Sequence, residues 1–325
     1  MSFSVGAWEL VQVLAKIVMY AGMAAASGGM LVLCLLQREA ARLPATPENP
    51  AAAHWCQLQY RVLLRQCAWA ATAGLLATLL LFLLQVGSIS QNGLPGMLDP
   101  LLLRVLAATP VGTGTAFKLA GFVLALLVML LAALRVSAGD LRVLSIGQLL
   151  ANASALLLFA LSFAVVGHAS ALGLFVQLAA GVHVIAVLLW IGALQPLRKL
   201  NATGDTAILL PLLRTFGVLG WSLVGCLLLG GSVMLWQMLG RASDLLTTVY
   251  GGLMLAKLQM ASCLLGLAAL NKFRLVPGYV EKTRPQLQTS IGLELVLALL
   301  IIVLTATLTT LTGPPLADAA HLPDI

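Results

Sequence analysis

The chain alternates between long apolar runs and short connections rich in polar and helix-breaking residues. About 20 apolar residues in a helix cross the ~30 Å hydrocarbon core of a membrane. Pro, Gly, Asn and Asp in the connections favour turns. The pattern predicts eight spans, at residues 8–36, 62–87, 112–134, 143–167, 173–197, 212–238, 246–270 and 289–312.

Composition indicates the same class of protein. Of the 325 residues, 61% are hydrophobic and 9% are charged, and the mean hydropathy is +1.03, whereas a soluble domain carries about 25% charged residues. We therefore predict an all-α, polytopic membrane helix bundle that forms a single integral-membrane domain over residues 1–325. A soluble enzyme is excluded. The five scattered cysteines predict free thiols, and no catalytic motif appears in a supporting context.

Basic residues set the expected orientation, because loops rich in Lys and Arg stay in the cytoplasm. Arg104 and Arg241 are the two basic residues assigned to one side of the membrane, and thirteen fall on the other. The net charge of +7 is therefore explained by cytoplasmic loops and gives no reason to expect nucleic acid as a partner. Both termini should face the outside. The first run carries Glu9 and lacks a basic segment before it, so it is interpreted as a retained span. The thirteen are Arg38, Arg42, Arg61, Arg65, Arg135, Arg142, Arg198, Lys199, Arg214, Lys272, Arg274, Lys282 and Arg284.

Two histidines flank the turn between the fourth and fifth spans. His168 is expected at the outer membrane surface, whereas His183 lies about ten residues into the fifth span, or ~15 Å deep at 1.5 Å per residue. Ionisable side chains near the middle of the bilayer are costly and often mark a site or pathway. The alternative is that His183 is a core residue that hydrogen-bonds to a neighbouring helix.

Met234 and Met238 are separated by one helical turn near the outer end of the sixth span. Thioether ligands at positions i and i+4 can hold a soft cation such as Cu(I). Methionine also fills gaps in ordinary cores, so the pair has two interpretations.

Lys16, Lys118, Lys257 and Glu294 are further ionisable side chains that we place inside the membrane, away from the loops. Lys16 begins a polar face of the first span that should point into the bundle, with Tyr20, Met23, Ser27 and Met30. An unpaired charge in a membrane is costly, so we expect Lys257 to pair with Glu294 on the adjacent helix. Glu294 is also a candidate for proton coupling.

Motifs in the second half resemble those of the copper resistance protein D family. They include Y-G-G-L-M-L-A-K from Tyr250, N-K-F-R-L-V-P from Asn271 and the Glu294 of the last span, within a family-like segment at 205–315. Gly-His-Ala at His168 and H-V-I-A-V-L-L-W from His183 add to the resemblance. It implies a bacterial inner-membrane, multi-pass protein that handles copper, and it places His168, His183, Lys257 and Glu294 at family motif positions.

The resemblance and the residues together predict a copper permease or copper-binding membrane protein that is not an enzyme. Copper, as Cu(I) or Cu(II), would enter from the periplasm through His168, His183, Met234 and Met238, and a periplasmic copper carrier is an expected partner. One alternative is an electron-transfer protein with b-type haem, although His168 and His183 differ too much in depth to ligate one haem together. Another is a transporter of an anionic ligand that uses the buried lysines.

Overall fold

The computed structural model describes residues 6–42, 50–139, 144–166, 173–204, 206–238 and 243–312, without the side chains of 50–53 and 238. These residues are almost entirely helical and contain no strand. Eight helices are long and apolar enough to cross a membrane, which confirms the all-α bundle. They are α1 (Ala7–Ala40), α2 (Pro50–Ser90), α3 (Pro110–Ser137), α4 (Ile146–Ala164), α5 (Leu174–Thr203), α6 (Thr206–Met238), α7 (Val249–Leu270) and α8 (Arg284–Leu311).

Each predicted span coincides with one of these helices; most of the helices extend beyond the predicted spans, whereas α4 and α7 begin three residues later than predicted. The largest difference is α2, which begins at Pro50, twelve residues before the predicted span at 62–87. Hydropathy reports the apolar part of a helix alone, whereas backbone hydrogen bonding continues through the polar turns at its ends. Two short helices, Gly93–Gly96 and Pro100–Ala107, occupy the connection between α2 and α3.

Helix α1 is the centre of the bundle and packs against α2, α5, α6 and α8. The predicted inward face of this helix is confirmed, since Met23, Ser27 and Met30 are buried. Glycines allow the closest helix approaches: a Cβ atom on Gly192 of α5 would collide with the Ala24 carbonyl oxygen of α1. Small residues at such crossings let membrane helices pack closely through van der Waals contact.

Helices α6 and α7 are peripheral. Helix α6 packs mainly against α5, and α7 packs mainly against α8, while α6 and α7 make almost no direct contact with each other. Most of their side chains remain accessible in the isolated chain. The two helices therefore flank a gap in the second half of the bundle, beside α5 and α8.

Candidate functional site

His183 lies on α5, where it faces α6. Its Nδ1 atom is 2.9 Å from the carbonyl oxygen of Leu227. Because a carbonyl oxygen only accepts, Nδ1 must carry the proton and donate it. This bond fixes the tautomer of the neutral ring and leaves the Nε2 lone pair available to a metal, the arrangement commonly found for metal-binding histidines.

The glycine pair of α6 makes room for the His183 ring. A Cβ atom on Gly231 would lie 3.2 Å from Cε1 and Nδ1 of His183, and one on Gly230 would lie 2.9 Å from the histidine Cβ. Larger residues at these positions would push α6 away from the ring. The absence of side chains at Gly230 and Gly231 thus brings the Leu227 carbonyl within hydrogen-bonding distance.

Met234 lies at the same α5–α6 interface as His183, one helical turn beyond Gly230 on α6. It packs against Val176 and Ala180 of α5. The structure therefore places one predicted thioether ligand near the predicted imidazole ligand. His168 and the side chain of Met238 lie outside the described residues. Within the described ranges, no three His, Cys, Asp or Glu side chains form a group that could hold a metal.

The predicted lysines have different partners. Lys16 donates to the Thr309 carbonyl oxygen at 2.8 Å and to Thr309 Oγ1 at 3.2 Å, at the end of α8. Lys118 lies with Nζ 5.7 Å from the centre of the Phe163 ring, in cation–π range. No acidic side chain of the described residues forms a salt bridge with either.

The predicted ion pair between Lys257 and Glu294 is wrong. Glu294 Oε1 accepts a hydrogen bond from Asn271 Nδ2 at 3.0 Å. Asn271 follows Lys257 by 14 residues, which is ~21 Å along a helix at 1.5 Å per residue, so the two charges lie at different depths. The sequence suggested that a cation would balance the Glu294 carboxyl group. The neutral amide of Asn271 is its hydrogen-bond partner instead.

Glu294 also borders a cavity of about 140 Å³ between α5, α6, α7 and α8. Its walls are mainly apolar, and Asn271 and Lys272 add polar groups. Glu294 and Asn271 are 3% and 9% exposed, and the Asn271 Oδ1 atom has no hydrogen-bond partner. This cavity is separate from the His183 interface.

A change of helix type positions Asn271. Residues Asn271–Leu275 form a π-helical turn directly after α7, and the Val276 amide donates to the Asn271 carbonyl at 2.8 Å. Such wide turns are rare and are frequent at functional sites. Sequence reasoning placed Asn271 in a loop just beyond the seventh span and missed its role. The sequence feature that could have indicated this role is the position of Asn271 as the first residue of the N-K-F-R-L-V-P motif.

The fold and these buried polar groups define a multi-pass helical membrane protein with polar sites inside the bundle. Residues 210–308, from α6 to the last turns of α8, match a family model described as copper resistance protein D. The match supports the resemblance carried by the sequence motifs, and the matched segment lies within the predicted 205–315. Searches of curated proteins and of solved structures found no match.

Proposed function

We propose that this protein binds copper within the bacterial inner membrane and moves it inward from the periplasm. The observation that carries the proposal is the match of residues 210–308 to copper resistance protein D. His183 and Met234, at the α5–α6 interface, supply the ligand chemistry. A neutral imidazole and a thioether suit copper, and the sulfur favours Cu(I). His168 and Met238 remain proposed ligands, and a periplasmic carrier remains a proposed source of copper.

The tautomer of His183 supports this role. The Leu227 carbonyl oxygen lies 2.9 Å from Nδ1 and accepts its proton in a hydrogen bond. Because the ring proton stays on Nδ1, copper can approach Nε2 without first displacing a proton. A hydrogen bond of this type orients a ligating ring and increases its basicity, and its loss typically costs 10- to 100-fold in metal affinity.

Lys257 works against cation binding at His183. An ammonium group on the same side of the bundle would repel a bound cation, and like charges repel more strongly in a medium of low dielectric constant than in water. We propose that this repulsion limits how tightly copper is held and so favours release. Glu294 is proposed to take up protons at a separate site.

Copper binding to detergent-purified variants tests the proposal. The variant His183→Ala should lose at least tenfold in Cu(I) affinity, measured by competition with a chromogenic Cu(I) chelator. His54→Ala is the matched control, because His54 is an exposed histidine in the first turns of α2 and should leave affinity unchanged. Equal affinities for the wild type and His183→Ala, with both proteins monodisperse, would overturn the assignment of His183.

Transport is measured separately, in proteoliposomes loaded with the chelator. The wild type should accumulate copper faster than empty liposomes, and His183→Ala should not. A wild-type rate equal to that of empty liposomes would reject copper transport even if copper binds.

A further inference from the structure

Helices α1 and α3 contact each other, and their inward faces are accessible at one end of the bundle and sealed below it. On α1, Lys16 and Tyr20 share a face with Met23 at helical spacing. The first two are half-buried, whereas Met23 is 0% exposed. On α3, Lys118 is half-buried, and Phe122, one turn deeper, is 0% exposed. A cleft therefore enters the bundle from the end where α1 and α3 begin, and it stops at Met23 and Phe122.

Two aromatic rings connect the walls of this cleft. The ring centres of Tyr20 and Phe163, on α4, lie 5.9 Å apart, and Lys118 Nζ lies 5.7 Å from the Phe163 centre. Lys16 precedes Tyr20 by one turn and reaches Thr309 near the end of α8. Side chains of a helix lean toward its start, and α1 and α3 both start at this end. Both lysines therefore point toward the mouth of the cleft.

The two ammonium groups have unused hydrogen-bond donors and no carboxylate beside them. A lysine carries three N–H donors. Lys16 uses two of them on Thr309, whereas Lys118 meets the face of a phenylalanine ring and no oxygen atom of the described residues. Glu9 lies on the same face of α1, seven residues before Lys16, but neither lysine forms a salt bridge with an acid in the described part of the chain. The cleft thus presents two positive charges with donors to spare.

Charge and acceptor number select the class of ligand. Unpaired charges away from bulk water are costly, so the cleft favours an occupant that brings negative charge. A chloride ion or the phosphodiester of a lipid brings one charge. A phosphomonoester carries about −1.5 to −2 charges at pH 7 and three acceptor oxygens. Such a group balances both ammonium groups and accepts hydrogen bonds from both walls at once.

We propose that the cleft between Lys16 and Lys118 binds a doubly charged phosphate, either inorganic phosphate or a phosphomonoester. The phosphate oxygens accept from both ammonium groups, and the rings of Tyr20 and Phe163 form the apolar side of the site. The distribution of basic residues predicts that this end of the bundle faces the periplasm, so the ligand arrives from the water on that side. The site uses none of the residues proposed to bind copper.

Binding of radiolabelled inorganic phosphate to the detergent-purified, copper-free protein tests the site. The wild type should bind phosphate saturably, and Lys118→Met and Lys16→Met should each lose at least tenfold in affinity. Chloride at one ionic strength in every sample keeps screening constant. No saturable binding to the wild type, or an affinity of either variant equal to that of the wild type, would overturn the proposal.

Two further variants separate charge in the cleft from charge in general. Lys118→Arg keeps the positive charge and should retain phosphate binding, which also shows that the loss in Lys118→Met is not a failure to fold. Arg104→Met removes an exposed charge from the short helix Pro100–Ala107, at the same end of the bundle, and should leave the affinity unchanged. A loss in Arg104→Met as large as that in Lys118→Met would overturn the proposal, because surface charge would then explain the binding.

Nanodiscs distinguish a water-borne phosphate from a lipid headgroup. Phosphate binding should be equal in discs of phosphatidylcholine and of phosphatidylglycerol, at an ionic strength that screens the disc surface. Displacement of phosphate in the phosphatidylglycerol discs would assign the cleft to the lipid and overturn the proposal. Cu(I) affinity should be unchanged in Lys118→Met, so this test and the test of His183 fail independently.

Discussion

At the scale of single residues, neutral hydrogen-bonding groups are the partners of two ionisable side chains in the spans, and for Glu294 the sequence suggested a cation instead. The Glu294 carboxyl group accepts a hydrogen bond from the Asn271 amide, and the Lys16 ammonium group donates to two oxygens of Thr309. A backbone carbonyl or an amide satisfies a buried charged group without a second ion to desolvate. Sequence alone did not reveal these partners, because they depend on which helices are neighbours and at what depth they meet.

Loss of the Asn271 amide should destabilise the protein through Glu294. Asn271→Leu leaves the carboxyl oxygen buried without its donor, at a cost of about 1–3 kcal/mol. A double-mutant cycle with Glu294→Gln should give a coupling energy of at least 0.5 kcal/mol, measured by unfolding in mixed micelles. The cycle of Lys257→Met with Glu294→Gln is the control and should be additive. Coupling in the control and additivity in the first cycle would contradict the assigned partners.

Removal of the Lys257 charge should strengthen copper binding at His183. The Lys257 ammonium group is proposed to repel a cation at the ring, so Lys257→Met is expected to raise Cu(I) affinity severalfold in the chelator competition. Lys16→Met removes a charge that is hydrogen-bonded to the end of α8 and should leave affinity unchanged. Weaker copper binding in Lys257→Met would show that the lysine assists the site.

At the scale of helices, glycine determines how closely neighbours approach. The crossing of α1 and α5 relies on Gly192, and the approach of α6 to His183 relies on Gly230 and Gly231. The number of spans followed from hydropathy, because the bilayer thickness sets the length of the apolar run that each span needs. The π-helical turn at Asn271 and the choice of helix neighbours did not follow, since many pairings bury the same apolar faces.

A methyl group at the α1–α5 crossing should destabilise the bundle. In Gly192→Ala, the added Cβ meets the Ala24 carbonyl oxygen, and overpacking of this kind costs about 1–3 kcal/mol. Gly225→Ala, where nothing lies within 4 Å of the added atom, should change stability by less than about 0.5 kcal/mol. Thermal unfolding in detergent compares the two. A Gly192→Ala protein as stable as Gly225→Ala would contradict the close crossing.

The end of α8 should depend on Lys16. Its ammonium group caps the Thr309 carbonyl, one of the last carbonyls of the helix, which lack partners within it. Lys16→Met should speed amide exchange in the last turn of α8, measured by hydrogen–deuterium exchange. Lys16→Arg retains a donor and should exchange more slowly than Lys16→Met. Unchanged exchange in Lys16→Met would mean that the cap contributes nothing.

At the scale of the whole molecule, an even number of spans predicts that both ends of the bundle lie on the same side of the membrane, and the described residues hold eight helices long and apolar enough to cross it. Thirteen of the basic residues lie in and beside the loops that follow α1, α3, α5 and α7. This asymmetry predicts that these loops are cytoplasmic. The sequence thus predicted the helix bundle, and its motifs indicated the family whose model matches residues 210–308. Of the copper ligands that it proposed, His183 and Met234 lie at one interface in the described residues.

Reporter fusions can test the orientation. Alkaline phosphatase at the C-terminus should be active, because that enzyme folds outside the cytoplasm, and a green fluorescent protein fusion there should be dark. A second fluorescent protein in the loop after α5 should be bright and serves as the control. A bright C-terminal fusion would reverse the orientation and place the start of α5 in the cytoplasm.

The sparse contact between α6 and α7 also determines where this bundle can change shape at least cost. Each helix rests on a single main partner, so a rigid-body rocking of either one would disrupt few side-chain contacts. Any movement that admits a ligand should therefore begin along this seam, while α1, α2 and α5 remain stationary. Within the family-matched segment, α6 and α7 are then the moving parts of the molecule, and the first five helices are their frame.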